Sequence, residues 1–338
     1  MITQVCKYAL FLPIIIVSFL FHNCESKKET VEASEPVKED NSSTDDSSDN
    51  NKVTEAERIL SFLADDALQG RDSGSKGLEK AADFIQKELT SYGVVPFKTS
   101  YLDTFVAQGE NTYNVLGYLP GNDSKFADEM VIIGAHYDHI GTAKAVAGDI
   151  IANGANDNAS GTTAVLLLAK KLAEQKSNKR SVLFALFSAE EKGLIGSKHL
   201  AKELKEAGKD VYVMLNFEMI GVPLNDKDYT AYITGFELSN FAEKINEYSK
   251  QPDLIGFLPK AKEFNLFRRS DNYPIYESLN IPSQTISTFD FTNYDYYHHV
   301  DDEASQMNYP FINTLVEKIT PAVTMLTQTE TKEIKFKQ

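Results

Sequence analysis

Three stretches of the chain are apolar almost without interruption: residues 130–135, 182–187 and 211–217. A strand with one face in water alternates polar and apolar residues, so a continuous apolar run is covered on both faces. Helical stretches lie between such runs, at residues 161–175, 193–207 and 238–249. Earlier in the chain, Leu78, Ala81, Ala82, Ile85 and Leu89 share one helical face, with Gly93 placed to end that helix. Further strand-like runs fall at 113–119, 229–234 and 282–287. Together they predict an α/β fold: a single three-layer domain with a central, mostly parallel mixed β-sheet flanked by helices. Sheets of this kind bind ligands beyond the carboxyl ends of their strands.

That rule makes the polar residues at the ends of the runs informative. His136 and Asp138 follow one run in GAHYDHIG, Glu190 and Glu191 follow another in LFALFSAEE, and Glu218 closes a third in VMLNFEMIG. Asp157 lies in NGANDNASG, a Gly/Asn-rich turn before a helix, and a late cluster reads YYHHVDD. Taken singly, a His-x-Asp is ordinarily a hydrogen-bonded loop and a Glu-Glu pair is ordinarily solvated. Glu218, however, sits among Leu215, Phe217, Met219 and Ile220 with no Lys or Arg close in sequence. A buried carboxylate without a cation is costly.

Asp157, Glu191 and Glu218 supply three negative charges and neutral histidines none. One divalent ion leaves such a cluster at −1, and two leave it at +1, or neutral with a bound hydroxide. Imidazole and carboxylate donors without thiolate suit zinc, with manganese, cobalt or iron as substitutes. The only cysteines are Cys6 and Cys24, and no HExxH is present, so thiol chemistry in the globular part and the single-helix zinc protease pattern are excluded. A net charge of −15 argues against a nucleic-acid partner. Nothing in the sequence indicates an oligomer.

The chain is expected to divide into three parts. Residues 1–24 read as a signal peptide: Lys7, then an apolar stretch at 8–21, then Cys24 in the place of a lipoprotein acceptor cysteine. Phe21-His22-Asn23 matches poorly the small residues that usually precede it, and an ordinary cleaved signal is the alternative. Residues 25–52 are Ser/Asp/Glu/Lys-rich with few large apolar residues, as in a disordered acidic tether. Residues 53–335 form the catalytic domain. The expected location is the cell envelope, lipid-anchored on the periplasmic or outer surface, or else secretion.

In order and spacing, GAHYDHIG, NGANDNASG, FSAEEKGLIGS, NFEMIG and YHHVDD resemble the di-zinc exopeptidases of metallopeptidase family twenty-eight. GRDSGSKG and NVLGYLPG extend the resemblance over essentially the whole globular part. The resemblance implies two zinc ions. Asp157 would bridge them, His136 and Glu218 would complete one site, and Glu191 and His298 the other. Glu190 would be the general base, and Asp138 would accept the second ring N–H of His136. It also implies a cis peptide between Asp157 and Asn158. The family more often has Asp where Glu218 stands, which puts the position or strength of that metal site in question. The doubled His298-His299 aligns with His298 as the ligand. His139 is expected to be a hydrogen-bonded loop residue outside the ligand set, and His199 a surface residue.

The segment RRSDNYPIYESLNIPS resembles the family's pocket wall, which makes Ser270 and Asp271 candidates for substrate contact. Phe289, Phe291, Tyr294 and Tyr296 crowd the approach to His298, and Phe289 is a substrate-binding candidate together with Tyr297. Arg268 or Arg269 could instead grip a carboxylate. The implied activity is removal of N-terminal amino acids from peptides. The alternatives are a glutaminyl cyclase-like transferase on the same scaffold and a non-catalytic peptide- or glycan-binding lipoprotein. Absence of tryptophan weighs against the cyclase, and a full set of ligand and base positions weighs against the binding protein.

Overall fold

The computed structural model describes residues 53–338, so the expected signal, the tether and both cysteines lie outside the described residues. Among the described residues there are eleven strands: β1 (Val95–Pro96), β2 (Leu102–Ala107), β3 (Glu110–Leu119), β4 (Glu129–His136), β5 (Thr142–Val146), β6 (Asp149–Ile151), β7 (Ser181–Phe187), β8 (Asp210–Glu218), β9 (Ala231–Ile233), β10 (Ile255–Gly256) and β11 (Ser283–Ser287). The main sheet runs β1-β3-β7-β4-β8-β11-β9-β10, with β2 paired to β3, while β5 and β6 form a separate exposed hairpin. Its centre, β7-β4-β8-β11, is parallel, and antiparallel pairs enter on both sides, β3 with β7 and β9 with β11. The three apolar runs are β4, β7 and β8, three of the four central strands.

Side chains alternate faces along each of these strands, so one apolar run feeds two cores. Val131, Ile133, Val182, Phe184, Val213 and Leu215 face the larger core, beneath α1 (Glu55–Leu63), α2 (Lys76–Ser91), α3 (Gly161–Gln175), α5 (Phe241–Ser249) and α8 (Tyr309–Gln328). Ile132, Leu183, Ala185 and Met214 face the smaller core, beneath α4 (Ile195–Glu206) and α7 (Asn272–Leu279). A short helix, α6 (Pro259–Glu263), leads into the 266–271 segment.

α2 begins where the Ser75 hydroxyl accepts a hydrogen bond from the Leu78 N–H, and ends before Gly93, whose φ of +79° suits glycine. α8 was not among the expected helices, because Pro321 interrupts its apolar run. The Asn308 side chain caps it, and Pro310 stands in its first turn. Ile312, Leu315, Val316, Ile319, Val323 and Leu326 are buried on its inner face. At roughly 1.5–3 kcal/mol for each fully buried large side chain, that face outweighs the ~3 kcal/mol cost of an internal proline.

Candidate metal centre

Parallel pairing brings the carboxyl ends of β4, β7 and β8 to one edge. His136 pairs with Phe187 across β4 and β7, and Gly134 with Asn216 across β4 and β8, so His136 and Glu218 leave the sheet side by side. Glu190 and Glu191 come from the turn after β7. Asp157 lies in a tight turn leading into α3, and its peptide bond to Asn158 is cis, as expected. Asp302 holds that turn: its carboxylate accepts from the Asn156 N–H at 2.7 Å and the Asp157 N–H at 3.1 Å, and from the Tyr294 hydroxyl at 2.6 Å.

Two donor groups meet on Asp157. In the first, His136 Nε2 lies 3.3 Å from Asp157 Oδ1 and 3.0 Å from Glu218 Oε1. In the second, His298 Nε2 lies 3.3 Å from Asp157 Oδ2 and 3.0 Å from Glu191 Oε2. His139 Nδ1 joins the second group, 3.0 Å from Glu191 Oε1 and 3.8 Å from Asp157 Oδ2. Within each group the donor atoms lie within 4.8 Å of one another.

Bonds of about 2.0–2.2 Å from a tetrahedral zinc place neighbouring donors roughly 3.3–3.6 Å apart, close to these separations. Nitrogen and oxygen donors without sulfur also suit that ion. The residues therefore fit the metal their chemistry calls for. A third acidic group does not. Glu203 and the buried Asp103 flank His199, which is half-buried against Phe105 rather than a surface residue, but Lys98 Nζ sits 2.6 Å from each carboxylate and already supplies the charge.

Without a metal, protons take its place. Burial opposes charge on His136, yet Glu218, Asp138 and Asp157 outweigh it and hold the imidazole well above its ordinary range. His298 is likewise opposed by burial but raised to about 10 by Asp157 and Glu191. Burial pushes Asp157 upward, while His136 and His298 pull it far below the usual carboxylate range. Glu190 belongs to neither group but lines the same pocket. Burial raises its carboxyl well above the ordinary range, and the charges of Glu218, Asp271 and Glu191 add to the rise while His136 opposes it.

Several expectations change. His136 Nδ1 is 3.1 Å from the Asp138 main-chain carbonyl and 3.6 Å from its carboxylate, so the carbonyl is the nearer partner. The Asp138 carboxylate instead accepts from the Glu190 N–H and the Ser73 hydroxyl. Ser270 borders the pocket, but its hydroxyl donates to Glu218 Oε2 at 2.7 Å and so steadies a donor. Asp271 is wholly buried and does not line the pocket, and burial pushes its carboxyl up to about 7. Phe289 and Tyr297 do line the pocket, with Phe291, Leu266 and Met219.

Tyr297 stacks on His298 with centroids 4.0 Å apart. His298 is the member of its pair in the cluster, whereas His299 accepts from the Asp301 N–H. Arg269 lines the pocket, while Arg268 lies over Tyr273. His139, expected in the loop, is fully buried against the second donor group.

Arg71 and Asp302 were not assigned roles from sequence. Arg71 is buried under the site and donates to the carbonyls of Leu63, Tyr137, Asn153 and Gly154. Their only signals were the Arg of GRDSGSKG and the second Asp of YHHVDD.

The chain is similar to known proteins. The model of peptidase family M28 matches residues 114–323. A probable leucine aminopeptidase of Arthroderma otae is 27% identical over 245 residues, covering 70% of this chain and 62% of that protein. The chain spans 34% to 62% of the length of the curated relatives it matches. A zinc aminopeptidase from Bacillus subtilis superposes with a TM-score of 0.63 at 16% identity, covering 83% of this chain and 98% of that one. A glutaminyl cyclase from Porphyromonas gingivalis superposes with a TM-score of 0.62 at 16% identity, covering 81% and 98%. At such identity these two structures share the fold.

Proposed function

The chain belongs to peptidase family M28, and on that premise we propose that it is a zinc-dependent aminopeptidase that removes N-terminal residues from peptides. The observation that carries this reading is the sharing of Asp157 by two donor groups with Glu190 beside them. His136, Asp157 and Glu218 would hold one zinc, and Asp157, Glu191 and His298 the other. The pair would lower the pKa of a water between them toward ~7 and polarise the scissile carbonyl.

The protein's own groups supply the rest. Glu190 is the general base: its carboxylate takes the proton from the attacking water and returns it to the leaving amine. Phe289, Phe291, Leu266 and Tyr297 make an apolar wall for the first side chain, which favours large aliphatic or aromatic N-terminal residues. Export, with lipid attachment at Cys24, belongs to the same reading and is supported by the apolar stretch at 8–21 and the polar turn after it.

The test is a substrate panel on the full chain: aminoacyl anilides, N-acetylated peptides and N-terminal glutaminyl peptides, with chelation and zinc add-back. Zinc-restored cleavage of free N-termini alone is the expected result. Cleavage of acetylated peptides, or cyclisation of glutaminyl peptides without hydrolysis, overturns it.

A further inference from the structure

The donor group around Glu191 holds one imidazole more than the assignment above uses. His139 is fully buried, and its ring is fixed from three sides. Its main-chain N–H donates to the Arg71 carbonyl, and its ring meets that of His298 edge-on, with centroids 5.6 Å apart. On the third side is Gly154, where a Cβ would fall 2.5 Å from His139 Cγ. Glycine at 154 therefore leaves the space this imidazole occupies. So held, Nδ1 points at the two carboxylates that His298 addresses from the other side.

The separations have the form of one coordination polyhedron. His139 Nδ1 is 3.0 Å from Glu191 and 3.8 Å from Asp157, and His298 Nε2 is 3.0 Å from Glu191 and 3.3 Å from Asp157. Those four edges bracket the roughly 3.3–3.6 Å edge of a zinc tetrahedron. A hydrogen bond from Nδ1–H to Glu191 would account for the 3.0 Å contact alone. It would not account for two imidazoles arranged about the same pair of carboxylates.

We propose that His139 Nδ1 is a fourth protein ligand at the Asp157, Glu191 and His298 position, so that this half of the centre offers two histidines and two carboxylates beside the water shared by the two ions. This rests on the two-zinc reading above. The other half keeps only His136, Asp157 and Glu218. A zinc held by four protein groups and the shared water would be five-coordinate, a number catalytic zinc can adopt, and would have one more protein bond than the other ion. The two halves therefore differ in affinity: the His139 half fills first, and the Glu218 half is filled last and lost first.

The test compares zinc affinity, by chelator competition, in the full-length protein and in His139→Ala and His139→Asn. The Asn amide can donate to Glu191 from the place of Nδ1–H but is a poor zinc ligand. Loss of a hydrogen-bonding partner of a ligand costs 10–100-fold in metal affinity, so loss of a ligand is expected to exceed about a hundredfold. Both variants are expected to lose one zinc by that margin and to hold the other within a few-fold of the parent. Parent-like affinity for both ions in His139→Asn overturns the proposal and leaves the two-zinc reading standing. A parent that binds no zinc overturns both. Should neither variant fold, X-ray absorption of the zinc-loaded parent decides: three imidazoles shared by two ions support the proposal, and two overturn it.

Discussion

Glu190 is a member of neither donor group, which makes it the residue whose removal separates chemistry from metal binding. Glu190→Gln keeps shape and polarity but cannot accept a proton. It is expected to lower kcat about 10²–10⁴-fold with zinc content unchanged, checked by steady-state kinetics beside elemental analysis. Ser270 predicts the reverse pattern. Its hydroxyl steadies Glu218, so Ser270→Ala is expected to weaken one zinc by about 10–100-fold, with activity restored by excess zinc.

Site residues were legible where chemistry required a rare residue type at a strand end: His136, Glu190, Glu191 and Glu218 stand out against apolar neighbours. Asp302 and Arg71 were not, because each acts through main-chain groups, which any sequence contains. His139 was set aside because an alignment to a ligand pattern has no place for an extra histidine. Ser270 and Asp271 show the same limit, since a segment can border a pocket while its side chains turn inward.

Among the elements, the parallel centre was readable because two-sided burial leaves continuous apolar runs, and β4, β7 and β8 carry them. α8 was hidden by Pro321, and α1, β2 and the β5–β6 hairpin carry only short patterns. Arg71 is the joint between elements. Its guanidinium ties the end of α1 at Leu63 to the turn after β4 and to the turn before Asp157. Arg71→Met removes hydrogen bonds from a charged donor, each worth about 1.5–3 kcal/mol, and strands buried carbonyls. It is expected to lower unfolding stability by more than ~3 kcal/mol in urea denaturation. A loss under ~1 kcal/mol would show that the joint is dispensable.

For the whole molecule, protons and zinc compete for the same atoms. In the metal-free protein His298 is raised to about 10 from 6.5. A raised folded pKa contributes stability that is complete below the unfolded value and lost as pH rises through the folded one. That contribution is therefore full below about 6.5 and gone above about 10. Zinc needs the neutral imidazoles, so its binding near pH 7 is expected to release protons and to strengthen as pH rises. Calorimetry in buffers of different ionisation enthalpy measures the release, and proton uptake would contradict this picture. The N-terminal segment makes its own prediction. Fatty-acid labelling of cells is expected to mark the protein and to vanish in Cys24→Ala, and an unlabelled parent would remove the anchor.

The centre depends on one carboxylate shared by two donor groups, and Asp157→Asn tests this with little change in volume. Zinc per chain should be measured in the parent and the variant, at a zinc concentration that saturates the parent. Two ions in the parent and none in Asp157→Asn, with cleavage of free N-termini lost alongside, are the predicted result. Either zinc held by the variant with parent affinity would contradict it.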